Sequence, residues 1–326
     1  MWKIAIKSAI MQLYKRGGSD MYHFIVNPHA RSGLGHKVWT ELEDILKERN
    51  IEYHVHFTKY QKHATSIAHK ITSDDEEHIV VALGGDGTVN EVVNGIVNYE
   101  KTILGYIPIG SSNDFARGLE LPTDPREALE LILNPAHLHP MNVGIIKYNN
   151  RKRNFAVSAG MGFDAAICHE VVVSRVKYVL NKLGLGKLTY VMIALHRLAV
   201  QKPDEVIVTL DKEKELRFPA TYFVAFMNNR YEGGGFMFTP DAKNDDDKID
   251  IMVASGIPKW KVLRILPTAY KGNHTRFKGI HIYSAKHIQV ESKQALALHT
   301  DGEPIFLQKK VSVKCEQNKL RVITKN

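Results

Sequence analysis

A glycine-rich segment in the first third of the chain places a carboxylate where a phosphate would be expected to bind. Val80–Leu83 is an apolar run typical of a buried parallel strand, and the sequence GGDGT follows it at residues 84–88. Glycines let the backbone approach a ligand closely, and a following helix would direct its N–H groups at a phosphate. Asp86 would repel that phosphate unless a Mg²⁺ ion lies between them. The segment therefore predicts a site for phosphate and Mg²⁺, with a turn whose aspartate only caps the backbone as the alternative.

The helix after this turn begins with residues typical of a capping box. Thr88 is followed three residues later by Glu91, so that the hydroxyl and the carboxylate could each bond the other residue's backbone N–H. Val89, Val92 and Val93 then fall on one helical face. We expect an amphipathic helix that packs on the sheet.

A second acidic turn lies near the end of the chain. Asp301 and Glu303 flank Gly302, and a glycine between two acids makes a tight turn that can present both. Phosphoryl transfer to a hydroxyl needs a carboxylate that accepts the proton. From the spacing alone, an ordinary Asp-Gly hairpin turn is the simpler interpretation.

The elements that must position these residues alternate between strands and helices from residue 22 to about residue 117. Such βα units predict a doubly wound parallel sheet with right-handed connections, in which ligands bind beyond the carboxyl ends of the strands. Four strand-to-helix loops should therefore converge on one crevice. They are Asn27–Gly33, the loop that begins at Thr58, Gly84–Thr88 and Gly110–Asp114.

After about residue 141 the pattern changes to strands with period-two alternation, which predicts a mostly antiparallel β-sandwich. The expected fold class is thus α/β plus β. We expect an N-terminal extension over residues 1–20, an α/β domain over 21–141 and a sandwich domain over 142–306, while the tail of about 307–326 could return to the first domain. The predicted strands of the second half are Val143–Tyr148, Asn154–Ala159, Glu205–Leu210, Ala220–Asn228, Ile249–Ala254, Gly279–Ser284 and Lys286–Glu291.

Composition limits the function classes. The 326 residues are 44% hydrophobic and 24% charged, as in soluble globular proteins, and the net charge of +9 suits an anionic partner. Cys168 and Cys315 lack metal-type spacing and fit a reducing cytoplasm. We find no apolar run long enough for a transmembrane helix. Residues 165–200 read as helical and carry basic residues, which predicts either a helical pair on the sandwich or a rim that docks on anionic lipid.

The usual nucleotide motifs are missing, because the chain has neither a complete P-loop nor an intact G-x-G-x-x-G after a strand. Three other segments carry a resemblance instead. GGDGT with Asn90 and Glu91, GSSNDFAR at residues 110–117, and Asp301-Gly302-Glu303 resemble the diacylglycerol kinase catalytic family, which includes soluble bacterial lipid kinases and sphingosine kinases. The resemblance covers about Tyr22 to Lys325. The first motif is shared with NAD kinases, whereas the three together, in this order and spacing, are specific.

The resemblance implies an ATP site on the first domain and a catalytic turn on the second. Glu303 would be the proton acceptor and Asp301 would help to hold Mg²⁺ or its waters, although the two roles could be exchanged, and Asp86 would also organise the metal. Arg31 or Arg117 would help to offset phosphate charge, unless Arg117 only forms a surface salt bridge. The implied ATP-binding residues are Asn27, Ser32, Thr58, Gly84, Gly85, Asp86, Gly87, Thr88, Asn90, Glu91, Ser111 and Asn113.

A third element, residues 240–248, resembles the loop that binds a structural Mg²⁺ in similar bacterial lipid kinases. The resemblance implies one carboxylate ligand, Asp246, and two backbone carbonyls, those of Lys243 and Lys248, which suit a hard cation. The family usually has glycine where Asp247 stands. If that position has a positive φ, aspartate tolerates it better than most residues do.

The sequence thus leads us to expect a lipid kinase dependent on ATP and Mg²⁺, with diacylglycerol as its first candidate substrate and phosphatidic acid as the product. Its lipid head would enter a cleft between the domains, and the enzyme would be cytoplasmic and peripherally attached to an anionic membrane surface. The alternatives are an NAD kinase-like enzyme and a non-catalytic, membrane-associated sensor of nucleotide or lipid. No aromatic and basic motif for nucleic acid is found. The exposed edges of a sandwich could pair two protomers as a homodimer.

Overall fold

The computed structural model describes residues 21–173, 193 and 195–325. It divides into two compact units, Met1–Val143 with Glu316–Asn326, and Gly144–Cys315. The predicted extension over residues 1–20 lies outside the described residues, as does most of the predicted helical stretch 165–200.

The strands and helices of the described residues are as follows. The strands are β1 Tyr22–Val26, β2 Tyr53–Phe57, β3 His78–Gly84, β4 Thr102–Pro108, β5 His137–Met141, β6 Gly144–Tyr148, β7 Arg151–Phe155, β8 Ser158–Gly162, β9 Asp204–Leu210, β10 Lys214–Met227, β11 Ile249–Ser255, β12 Ile280–Ala285, β13 His287–Thr300, β14 Glu303–Cys315 and β15 Leu320–Thr324. The α-helices are α1 Ala30–Glu48, α2 His63–Ile71, α3 Asp86–Gly95, α4 Asp114–Gly118, α5 Pro125–Leu133, α6 Phe163–Val173 and α7 Lys259–Ile265, and residues 195–200 are also helical.

The first unit is built on a six-stranded sheet with the order β2-β1-β3-β4-β15-β5. All neighbouring strands run parallel except the last pair, β15 with β5. Every residue of β4 is buried, as expected for a parallel strand with helices on both faces of its sheet. Phe24, Trp39 and Leu42 form part of the core between the sheet and α1. The returning segment that contains β15 therefore completes this sheet.

The second unit contains nine strands in one antiparallel sheet. The long strands β10 and β13 each pair with β9 along one part of their length and with β8 along another. The sheet thereby wraps around a single core to which β6 to β14 contribute, with Phe155, Val208, Phe226, Val290 and Val313 among its buried members. The two units together confirm the predicted fold class, an α/β domain followed by a mostly antiparallel β-rich domain.

The prediction of one strand over Asn154–Ala159 is wrong. β7 ends at Phe155 and β8 begins at Ser158. The interruption has a local cause, because the backbone N–H groups of Ala156 and Val157 bond the carboxylate of Asp301. These N–H groups are therefore not available to a neighbouring strand.

A second apolar core lies where β10 and β11 pack against α7 and the 3₁₀ turns that follow it. Val262 and Ile265 of α7 are buried against Phe223 and Met252. The 3₁₀ turns are Leu266–Lys271 and Asn273–Arg276. Among the helices that the structure describes, none is both long and apolar enough to span a bilayer.

Candidate functional site

The loops that the sequence predicts to converge lie along one edge of the first sheet. Asn27, Thr58, Gly85 and Gly110 each lie just beyond the carboxyl end of one of the strands β1 to β4, which are adjacent in the order β2-β1-β3-β4. Hydrogen bonds join the loops. The Asn27 side-chain amide donates to the Thr88 hydroxyl at 3.3 Å, and the Thr58 N–H donates to the carbonyl of the last residue of β1 at 2.9 Å.

Two of these loops touch through glycine. A Cβ atom built on Gly110 would lie 2.7 Å from the Cα of Gly85 and 2.7 Å from the Asn113 side-chain oxygen. Real Cβ atoms are not found so close to another heavy atom. A Cβ on Gly84 would likewise collide with the Thr88 side chain. These glycines are thus required for backbone packing, in addition to any role toward a ligand.

Helix α3 begins earlier than the capping box implies. Its first residue is Asp86 and its N-cap is Gly85, without a hydrogen bond from a capping side chain. Glu91 instead accepts the N–H groups of Lys62 at 2.8 Å and Ala64 at 3.2 Å, at the start of α2. The capping-box prediction is therefore wrong, because the carboxylate satisfies a neighbouring helix. The N-terminus of α3, left without a side-chain cap, is suited to an anion.

The carboxylate of Asp86 bonds backbone, as the structural alternative proposed. Its two oxygens accept the N–H groups of Asp114 and Phe115, each at 3.1 Å. These groups belong to the first turn of α4, so Asp86 fixes the start of that helix. Burial raises the pKa of Asp86, although the hydrogen bonds from backbone N–H groups oppose that shift. Arg117 pairs with Asp114 at 3.1 Å, which is the helix salt bridge considered above.

The other predicted nucleotide-binding residues differ in exposure. Ser111 is exposed, whereas Asn90 is almost fully buried in α3. Asn113 has a left-handed backbone, with φ 52°, and its side chain donates to the Gly110 carbonyl at 3.1 Å. Ser32 is exposed and also left-handed, in a kinked part of α1. Nucleotide contact by these residues, and by Gly87 in the first turn of α3, remains a prediction.

In the second unit, residues 301 and 302 form the tip of the β13–β14 hairpin. Asp301 and Gly302 both have positive φ, 45° and 79°, as in the tight turns that favour Asp-Gly. The Asp301 carboxylate accepts three backbone N–H groups, from Ala156, Val157 and Ser158, at 2.8 to 2.9 Å. Asp301 therefore anchors the turn to the loop between β7 and β8. Its predicted role toward Mg²⁺ stays a prediction.

A buried cluster supports this turn from behind. His299 is fully buried, and its Nε2 lies 3.1 Å from Asp164 Oδ2 and 3.2 Å from Glu232 Oε1. Its Nδ1 faces the Gly302 N–H, which donates at 3.2 Å. A histidine that binds a metal normally donates its other ring N–H, whereas here the other nitrogen accepts. The arrangement therefore favours a proton-holding cluster over a metal site.

The protonation state of His299 affects its hydrogen bond with Gly302 in the hairpin turn. Burial alone would lower the pKa of His299, but the Cys168 sulfur and the carboxylates of Asp164 and Glu232 raise it well above the ordinary value. The carboxylates are the cause that holds at neutral pH, because burial raises the pKa of the Cys168 thiol to about 11. A raised pKa favours the doubly protonated ring, whose Nδ1–H cannot accept the Gly302 N–H, so the charged form of His299 and this hydrogen bond exclude each other. Sequence analysis missed this cluster, since its members are far apart along the chain.

The loop predicted to bind Mg²⁺, residues 240–248, contains several carboxylates. Its backbone has the left-handed conformation at Asp247. Asp247 has φ 62°, which is the left-handed conformation that glycine would favour and aspartate tolerates. Asp246 accepts the Lys248 N–H at 3.1 Å, and the Lys248 carbonyl accepts from the Cys315 thiol at 3.5 Å. Burial raises the pKa of Asp250, and Asp246 adds to that shift. A cation would relieve this repulsion between carboxylates.

Comparison with family models divides the chain in nearly the same way as its two sheets do. Residues 21–146 match the diacylglycerol kinase catalytic domain. Residues 157–324 match the YegS C-terminal NAD kinase beta sandwich-like domain. The two matches together take in almost all of the described chain.

Curated relatives are similar over most of their length. The chain is 28% identical to a diacylglycerol kinase of Bacillus subtilis over 281 residues, which is 86% of this chain and 88% of the relative. It is also 28% identical to a diacylglycerol kinase of Staphylococcus saprophyticus over 280 residues, 86% of this chain and 87% of that protein. Both names agree with the family models.

Solved structures share the fold. A diacylglycerol kinase from Bacillus anthracis superposes with a TM-score of 0.67 at 23% identity, covering 95% of this chain and 98% of that structure. An NAD kinase from Archaeoglobus fulgidus in complex with ATP gives a TM-score of 0.52 at 11% identity, covering 94% of each chain. At these identities the likeness concerns the fold alone.

Proposed function

The chain belongs to the diacylglycerol kinase catalytic family, and we propose that it is a lipid kinase that uses ATP and Mg²⁺ to convert diacylglycerol to phosphatidic acid. The observation that carries the proposal is the N-terminus of α3. It has no capping side chain, it begins within the GGDGT turn, and the turn packs on the Gly110 loop. A helix N-terminus of this kind favours phosphate.

In the proposed reaction, the lipid hydroxyl oxygen forms a bond to the γ-phosphorus of ATP while the bond from that phosphorus to the β–γ bridging oxygen breaks. ADP leaves, and the hydroxyl proton goes to a carboxylate. Glu303 is the better candidate for this base, because the three N–H donors on Asp301 stabilise its ionised form. A carboxylate stabilised in this way is a weaker proton acceptor.

On the first unit, the proposed ATP site uses backbone and neutral side chains. The turn at Gly84–Thr88 and the N-terminus of α3 would bind phosphate oxygens, while Asn27 and Ser111 would contact the nucleotide from neighbouring loops. Asp86 accepts the N–H groups of Asp114 and Phe115, the Asn113 N–H also stabilises its ionised form, and the roughly four lone-pair sites of a carboxylate leave room for a water. Asp86 can thus hold α4 in place and orient a water at the same time.

The oxygen donors of the described residues fit Mg²⁺. Carboxylates and carbonyls are its preferred ligands, and we propose that Asp246 with the carbonyls of Lys243 and Lys248 holds a structural ion. When bound with ATP, Mg²⁺ would neutralise phosphate charge that this chain does not offset with a P-loop lysine.

Two alternatives come from other classes of function. An NAD kinase shares the fold, but the structural likeness is lower and the identity is only 11%. A non-catalytic sensor would not need a proton acceptor in the hairpin turn. The three hypotheses therefore differ in the molecule that accepts the phosphate, which is a lipid, NAD or none.

The test is transfer of labelled γ-phosphate from ATP to a panel of lipids in mixed micelles, with NAD included as an acceptor. Glu303→Gln is the catalytic variant. The matched control is Glu291→Gln, which removes an exposed carboxylate of the same unit that pairs with Lys310. Labelled phosphatidic acid made from diacylglycerol by the wild type and the control, but not by Glu303→Gln, is the expected result. Label on NAD alone, or on no acceptor despite ATP binding, would contradict the proposal.

A further inference from the structure

One segment of the second unit is basic and contains no acidic residue. Between Asp250 and Glu291 the sequence has no acidic residue, and without residues 251–290 the chain would have 37 basic and 35 acidic residues. These forty residues therefore carry a net charge of +7. Their basic members are Lys259, Lys261, Arg264, Lys271, Arg276, Lys278 and Lys286.

Helix α7 presents two different faces. Val262 and Ile265 are buried in the core against β10 and β11. Trp260 is 58% exposed and Leu263 is 46% exposed. Among the described residues of the second unit, these two large apolar side chains are therefore left about half exposed on a helix that packs on the core.

Basic side chains surround the exposed tryptophan. Lys261 Nζ lies 5.9 Å and the Arg264 guanidinium 6.0 Å from the centre of the Trp260 ring, within the range of a cation–π contact. The turns that follow α7 again place exposed aromatic side chains beside basic ones. Tyr270 is 52% exposed and Phe277 is 38% exposed, and each is next to an exposed lysine. We call the exposed side chains of residues 260–278 the basic–aromatic surface.

We propose that the basic–aromatic surface docks this protein on an anionic lipid bilayer. Tryptophan and tyrosine favour the level of lipid headgroups, and lysine and arginine are attracted by anionic lipids. The combination of exposed aromatic, aliphatic and basic side chains on one helix is typical of a segment that lies in the bilayer interface. The inference deepens the proposed function and rests on it, since a diacylglycerol kinase must reach a substrate whose acyl chains lie in a membrane.

An anionic bilayer explains the side chains of the basic–aromatic surface better than a protein or nucleic acid partner does. Charge alone would attract any polyanion, but it would not require Leu263 to be exposed beside Trp260. Insertion of these two side chains at the bilayer interface removes apolar surface from water, while Lys261 and Arg264 remain among the headgroups. Both classes of exposed residue then have a role in the same contact.

The experiment measures sedimentation of the full chain with vesicles of phosphatidylcholine alone or with added phosphatidylglycerol. We expect binding only to the anionic vesicles, and weaker binding at higher salt. Lys261→Glu/Arg264→Glu should weaken it by roughly 25-fold or more, about fivefold for each basic side chain lost. Lys147→Glu/Lys152→Glu makes the same change in net charge at two exposed lysines of the β6–β7 hairpin. This control should bind within about twofold to threefold of the wild type, because it lies outside the proposed surface.

Insertion is measured separately by tryptophan fluorescence. In a Trp2→Phe background, Trp39 is buried and Trp260 reports on the surface. We expect a blue shift of its emission with anionic vesicles and none with phosphatidylcholine alone. An unchanged emission, equal losses in both charge-swapped variants, or wild-type binding by Lys261→Glu/Arg264→Glu would overturn the proposal. So would a change in the oligomeric state of that variant without lipid, which would assign the surface to a second copy of the chain.

Lipid phosphorylation in detergent micelles tests the proposed function without testing the docking surface. Lys261→Glu/Arg264→Glu should phosphorylate micellar lipid as the wild type does, because detergent delivers the substrate without a bilayer. Vesicle binding without any lipid phosphorylation would refute the proposed function and leave the docking surface standing. Phosphorylation in micelles without vesicle binding would refute the docking surface alone.

Discussion

The two units each contain an acidic turn, and the two turns use their aspartates in a similar way. Asp86 accepts two backbone N–H groups from the start of α4. Asp301 accepts three from the loop between β7 and β8. In both cases a carboxylate that sequence analysis assigns to metal and catalysis also holds a distant part of the backbone in place.

The turns differ in what surrounds the aspartate. Asp86 lies at a helix N-terminus beside glycines, where burial raises its pKa and where an anion is favoured. Asp301 lies in a hairpin, with a second acid two residues later and the His299 cluster behind it. We therefore propose that the first turn binds a phosphate and that the second presents a proton acceptor.

The largest effect is expected at Glu303. General base catalysis contributes about 10² to 10⁴ in rate, so Glu303→Gln should lower kcat for lipid phosphorylation by that factor. The substitution is nearly isosteric, and the thermal midpoint should stay within about 2 °C of the wild type. Steady-state kinetics and thermal unfolding measure the two quantities. A kcat reduced less than about tenfold would remove Glu303 from the role of base.

Asp301→Asn should act mainly on stability. Asparagine also accepts the left-handed backbone of this turn, so the substitution removes charge and one acceptor while the turn is retained. One of the three N–H donors is left without an acceptor, and the loss should be about 2–3 kcal/mol. Urea unfolding measures it. If stability is unchanged and activity falls as far as in Glu303→Gln, the roles of Asp301 and Glu303 must be exchanged.

Several elements of the fold could be predicted because their determinants are local. The apolar run Tyr22–Val26, followed by the Asn-Pro loop, predicts a strand with the same bounds that the structure gives β1. Helix α5 was overlooked although it has local determinants, with Asp124 as a bonded N-cap before Pro125. Strand β14 was missed for another reason, because its exposed positions carry polar and charged side chains and its pairing with β13 joins distant residues.

The candidate site was less predictable where its contacts are distant in sequence. Thr88 and Glu91 have the spacing of a capping box, yet Glu91 bonds N–H groups 27 and 29 residues away. Asp164 and Glu232 reach His299 only when the sheet is folded. Neither contact has a signature in spacing, because another element supplies the partner, as backbone N–H groups for Glu91 and as side chains for His299.

Gly110→Ala tests the contact between the two loops of the first unit. The new methyl group would lie 2.7 Å from the Gly85 Cα, and relief requires backbone movement at a cost of about 1–3 kcal/mol. Gly256→Ala in the second unit is the control, since its Cβ would meet no atom within 4 Å and only its positive φ is unfavourable. We expect weaker ATP binding in Gly110→Ala than in Gly256→Ala, measured by calorimetry. Equal affinities would show that the packing of the two loops does not shape the phosphate site.

The smallest effect is a pH dependence at Asp86, measured in EDTA. A raised pKa means that the folded state holds this proton more tightly than the unfolded chain does, so the stability that the group contributes is present at low pH and lost as the pH rises through the folded pKa. Asp86→Asn lacks this loss. Its deficit in unfolding free energy relative to the wild type, about 1 kcal/mol at pH 4 from the changed acceptor, should therefore shrink toward pH 7. Urea unfolding of both proteins between these pH values measures the trend. A deficit that grows with pH would mean that the backbone donors of α4 stabilise the ionised carboxylate more than burial opposes it, and Asp86 would then resemble Asp301.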